Sequence, residues 1–238
     1  MARKEKGFMR GSVANIIFYE REGKECMRSK PTRVRQTRAT RKSAGQFGKA
    51  AQISRVLREG LSPILYNSKE RGLMHRLNNA LLQWLLDNGA GKIKSSTHLP
   101  FINGFQLYQE TPLESRFKVP LSVNWDGQNL VTLDIPALIP VKHISAPAGT
   151  KTVRLEIGIT DCALKDFTSS GNHITVIEIP YNSVKIPAQQ VKLPFTRKPG
   201  RIALVALALK NGPKSKWGLP GKFNEKWEPA GIVGASYR

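Results

Sequence analysis

Between Cys26 and Arg58 the chain holds ten basic residues and no acid. Seven of them, Arg28, Lys30, Arg33, Arg35, Arg38, Arg41 and Lys42, crowd into the run RSKPTRVRQTRATRK, which has almost nothing to bury. Such a segment cannot offset its ordering entropy with a core of its own. It is solvated, or it is ordered by something negative. Any fold of this chain must keep it at the surface.

The charge around that stretch is uneven. Residues 1–60 carry 16 basic and 5 acidic groups, residues 101–200 carry 10 and 8, and residues 201–238 carry 7 and 2, within a net charge of +21. The excess therefore sits towards the two ends. Lys and Arg that displace condensed counterions drive association with nucleic acid, so this asymmetry points to a polyanionic partner. Arginine dominates the run, which suits bidentate phosphate contacts. The candidate contacts are Arg28, Lys30, Arg33, Arg35, Arg38, Arg41, Lys42 and Lys49.

Ahead of the basic run, residues 13–20 and 25–28 read as two strands joined by a turn in which Gly23 supplies a positive φ, and Pro31 closes the unit. A helix is predicted from Thr37 or Thr40, either hydroxyl serving as cap, to about Arg58, with Gly60 as its stop. Phe47, Ala50, Ile53 and Leu57 give it one packing face. If helical geometry extends back to Arg35, then Arg35, Arg38 and Arg41/Lys42 line up on one side. A second helix is bounded by an Asn67/Glu70 capping pair and by Gly89, with Leu73, Met74, Leu77, Ala80, Leu81, Trp84 and Leu85 as its apolar stripe. With Pro63 breaking the chain between them, the two form a helical hairpin.

After a small, polar linker over residues 89–100 the apolar period changes from helical to alternating. Val119, Leu121, Val123 and Trp125 alternate with polar neighbours, residues 130–135 supply a partner strand, and Val153, Leu155, Ile157 and Ile159 form another. Residues 174–179 and 202–209 add two more, the last apolar on both faces and so central. The prediction is an α+β chain: a β-hairpin and helical hairpin over residues 1–98, then an antiparallel, immunoglobulin-like β-sandwich over residues 99–238. In the tail, Trp217, Phe223, Trp227 and Tyr237 stand among Lys214, Lys216, Lys222 and Lys226. That arrangement fits a single-strand stacking platform, or aromatic cover for a sandwich edge with a last strand over residues 231–237.

Reaction chemistry finds no support. His75, His98, His143 and His173 are scattered, and neither Cys26 nor Cys162 has a ligand-spaced neighbour, so no metal or cofactor is expected. Gly89, Ala90, Gly91 and Lys92 are only superficially like a phosphate loop, since Leu86 and Ile93 stand where the motif needs Gly and Ser/Thr. Asp161 and Asp166 flank Cys162 in what reads as a solvated turn. There is no apolar run of membrane-spanning length and no secretory h-region, which predicts a cytoplasmic protein without membrane contact.

The N-terminal third also resembles an uncharacterised family of bacterial proteins. The matching features are Gly7, Gly11, Val13, Asn15, Phe18 and Tyr19, Gly23 and Lys24, Met27, Arg28 and Ser29, then Pro31. A basic helix with Phe47 follows, then Leu61, Ser62 and Pro63. The resemblance implies a β-rich C-terminal half ending in a strand near Ser236 and Tyr237, and it implies no activity. Two functions follow. The first is a non-enzymatic nucleic-acid-binding protein, RNA or DNA, or a binder of an acidic protein surface. The second is a structural or assembly subunit whose basic arm threads onto a neighbouring copy or subunit.

Overall fold

A computed structural model describes residues 3–5, 7–30, 36–65, 72–88, 99–125, 129–212 and 226–238. The chain is α+β with antiparallel sheets, and it divides into two compact units, Met1–Ser43 and Ala44–Arg238.

The first unit is a four-stranded antiparallel meander: β1 (Arg3–Glu5), β2 (Phe8–Val13), β3 (Ile16–Arg21) and β4 (Lys24–Ser29). Where the sequence suggested one strand through residues 13–20, a turn intervenes, with Ala14 at φ 48°. The β3–β4 turn is the expected one, since Glu22 and Gly23 both adopt positive φ (54° and 73°), the backbone twist a two-residue hairpin requires. None of the described residues between 3 and 43 is buried.

Helix α1 (Arg38–Leu65) opens on Thr37, whose Oγ1 accepts from the Thr40 amide at 3.1 Å. It does not stop at Gly60, and Pro63 does not break it. Proline removes the donor that would reach the Glu59 carbonyl, and the Ser62 hydroxyl supplies one instead at 2.7 Å. Gly60 is there for close approach. A Cβ built on it would lie 2.0 Å from Thr160 Oγ1, so only glycine lets the helix lie against that strand. Phe47, expected on the packing face, is exposed. Helix α2 (Leu73–Asp87) buries Leu73, Leu77, Leu81 and Trp84 and leaves Met74 exposed. The proposed Asn67/Glu70 cap and Gly89 stop lie outside the described residues. At the other end the Asn88 side-chain amide donates to the Trp84 carbonyl at 2.8 Å.

The rest is strands with two single-turn helices, α3 (Leu113–Arg116) and α4 (Pro140–His143). One sheet is β5 (Ser122–Asn124), β6 (Leu130–Ile135) and β9 (Gln189–Pro194). The other has the order β11 (Ala230–Tyr237), β10 (Arg201–Asn211), β7 (Thr152–Ala163) and β8 (Asn172–Pro180). The strand expected over residues 119–125 shortens to β5, and β9 is an addition. Strand β10 is central, and its two apolar faces serve two layers. Ile202, Leu204, Ala206 and Ala208 pack with α1 and α2, while Ala203, Val205, Leu207 and Leu209 pack with Val131, Leu133, Val191 and Leu193 of the three-stranded sheet. The helical pair therefore shares its core with the β-rich half, although the sequence grouped it with the N-terminal arm. Alanines and Gly158, where a Cβ would meet Ile64 at 3.3 Å, admit the helices that closely.

Candidate nucleic-acid interface

Of the eight residues proposed from sequence, Arg33 and Arg35 lie outside the described residues. Arg38, Arg41 and Lys42 occupy the first turns of α1, and Lys49 follows two turns on. At 100° per residue these four fall within an arc of roughly 100°. The helix starts at Arg38, and the end of the expected row that reaches Arg35 lies outside the described residues. Arg28 lies in β4, its guanidinium carbon 5.8 Å from the Tyr19 ring centroid. Lys30 follows that strand, its amide donating to the Asn15 carbonyl at 2.7 Å.

Among the described residues, no acid neutralises these six cations, and none of their side chains forms an ion pair or hydrogen bond. Cations elsewhere in the chain do. Arg10 pairs with Glu20, Arg154 with Glu156 at 2.7 Å, and Lys210 with Glu228 at 3.5 Å. The charge order of α1 also runs against its dipole. No acid stands in its first turn and no base in its last, while three cations crowd the end where backbone amides already carry partial positive charge. Each such placement costs about 0.3–1 kcal/mol when exposed at low salt. An anion seated there would reverse that cost.

Pairing in the N-terminal sheet gathers further residues that sequence order keeps apart. The register sets Ile17 opposite Arg28, Tyr19 opposite Cys26, and Arg21 opposite Lys24. These six share one face, and none of them is an acid. The other face presents Val13, Ile16, Phe18 and Met27, with Met27 69 % exposed. The alternation of Ile17, Tyr19 and Arg21 was the available signal.

The groups weighed for chemistry are placed as follows. Asp161 is not in a solvated turn. It is buried in β7, where it takes two bonds from the Arg201 guanidinium and one each at 2.7 Å from the Ser170 amide and hydroxyl. Asp166 is exposed and holds Thr168, whose hydrogen bonds keep its carboxyl below the usual range. Burial pushes the Cys162 thiol up to about 12, so no thiolate forms near neutrality. Burial pulls the Lys210 ammonium down, opposed by Glu228 and Glu156. Trp227 stacks under Arg116 at 4.1 Å, and Tyr237 meets Trp84 edge-on at 5.7 Å. Trp217, Phe223, Lys214, Lys216 and Lys222 lie outside the described residues. A cavity of about 470 Å³ beside β11 is walled mainly by Leu113, Phe117, Val119, Leu121 and Ile232. No group of three or more His, Cys, Asp or Glu suited to a metal occurs among the described residues, and no helix there is long and apolar enough to cross a membrane.

Compared with family models, curated proteins and solved structures, the chain matches none.

Proposed function

We propose that this is a non-enzymatic nucleic-acid-binding protein acting in the cytoplasm. Arg28, Lys30, Arg33, Arg35, Arg38, Arg41, Lys42 and Lys49 contact phosphate with little regard for base sequence. The observation that carries the reading is the run of cations at the amino end of α1, unpaired among the described residues and placed against its dipole. Phosphate contacts position without specifying sequence. The two sheets of the second unit, read as an immunoglobulin-like β-sandwich, are the scaffold. On its N-terminal pattern from Gly7 to Pro31 we place the chain with the bacterial family it resembles.

The test replaces Arg38, Arg41, Lys42 and Lys49 with glutamine in the full chain and measures binding to several duplexes of unrelated sequence. Affinity should fall alike on all of them, and the slope of log K against log salt should become less steep by roughly 3.6. A loss confined to one sequence, or an unchanged slope, would sink the reading.

A second reading rests on a different observation. The N-terminal sheet buries nothing, yet one face carries Val13, Ile16, Phe18 and Met27. In an assembly subunit that face would be covered by a neighbouring subunit, and the chain would form a homogeneous oligomer that nuclease does not dissociate.

A further inference from the structure

We infer that the Tyr19 face of the N-terminal sheet is a stacking platform for single-stranded nucleic acid. Tyr19, 36 % exposed, receives a base, while Lys24, Arg28 and Arg21 hold the adjoining phosphates. This deepens the polyanion reading above and rests on it.

Three observations carry the assignment. First, the hairpin register brings Arg21 and Lys24 opposite one another and puts Tyr19 between that pair and Arg28, so cations border the ring on both sides. Second, the part of the face built by β3 and β4 carries no acid. The two glutamates of these strands, Glu20 and Glu25, are on the opposite face and occupied, Glu20 with Arg10 and Glu25 with the Met9 amide at 2.8 Å. Glu22, in the turn, meets only Arg21, at 3.7 Å between exposed side chains. Third, Arg28 already lies over part of the ring at 5.8 Å, a position from which it can stay beside a stacked base and reach its phosphate.

An exposed aromatic on a sheet face offers its π-surface to any base, which gives affinity without sequence preference. In a duplex the base faces are stacked on one another and cannot reach Tyr19. The platform therefore adds to single-strand binding and leaves duplex binding to phosphate contacts alone. Phosphate attraction by itself would give no such difference.

The test uses the full chain and four probes: thymidylate and uridylate oligonucleotides of ~12 residues, a duplex, and inorganic polyphosphate. Tyr19→Ala should weaken both single strands by about 5- to 150-fold. Duplex and polyphosphate binding and the salt slope should stay as they were. Tyr19→Phe, which keeps the ring, should bind as the unaltered chain does. Photocrosslinking of a 5-bromouracil oligonucleotide to the unaltered chain needs no variant and should attach at Tyr19. If Tyr19→Ala binds single strands unchanged while polyphosphate still binds, or if crosslinks form only elsewhere, the platform is refuted and the phosphate reading survives. If no probe binds, both fall.

Discussion

Three glycines of α1 should respond to the same substitution with opposite signs. Gly45 and Gly48 have nothing within 4 Å of a built Cβ, so alanine there gains helix propensity at no steric cost. The gain is up to about 1 kcal/mol each. At Gly60 the same gain meets a wall. The new Cβ would lie 2.0 Å from Thr160 Oγ1 and 2.7 Å from Thr160 Cβ, on a strand paired on both sides. Overpacking of a buried site costs about 1–3 kcal/mol, and a contact this short belongs at or beyond the upper end. The expected net change for Gly60→Ala is a loss of about 2 kcal/mol, which for a chain of this size lowers Tm by roughly 4–8 °C. Gly45→Ala and Gly48→Ala should raise it or leave it unchanged. Thermal unfolding followed by circular dichroism reads all three. Adding Thr160→Gly to Gly60→Ala removes the three nearest atoms and should show favourable coupling of about 2 kcal/mol. If Gly60→Ala stabilised the chain as Gly45→Ala does, α1 could not lie against β7 at the distance given above.

Two further outcomes follow from buried groups. Asp161→Ala leaves the Arg201 guanidinium, 12 % exposed, without its counter-charge and should cost about 3–5 kcal/mol, whereas Asp166→Ala, at an exposed carboxylate held only by Thr168, should lower the unfolding midpoint far less. A thiol reagent at pH 8 should modify Cys26 in the native chain and reach Cys162 only on unfolding. The folded pKa of Cys162 lies above its unfolded value of 9.0, so its contribution is fully present below pH 9 and is lost as pH climbs towards 12. The stability gap between the unaltered chain and Cys162→Ala should narrow over that window, and a gap that widened would refute the assignment.

The sequence showed some of this fold and hid the rest for identifiable reasons. Strand β10 was legible because an uninterrupted apolar run has to be covered on both sides, and the stripe of α2 was legible from its period. The length of α1 was not. Gly60 and Pro63 read locally as breakers, but the first answers to Thr160, far away in sequence, and the second is rescued by Ser62. Strand β9, QQVKLP, offers only Val191 and Leu193 to the core, too short a period to stand out. The cations of the proposed interface were visible from composition, since a long acid-free run has no internal partners to find. The company that Tyr19 keeps was not, because Arg21, Lys24 and Arg28 reach its face only through the register of β3 on β4.

Phosphate contact by the basic arm is tested most directly by the salt dependence of duplex binding by the full chain. With the eight phosphate contacts proposed, log K against log salt should fall with a slope of roughly −7, the same for unrelated sequences. A slope near zero, or no binding at ~100 mM salt, would contradict it and turn attention to a protein neighbour for the basic arm.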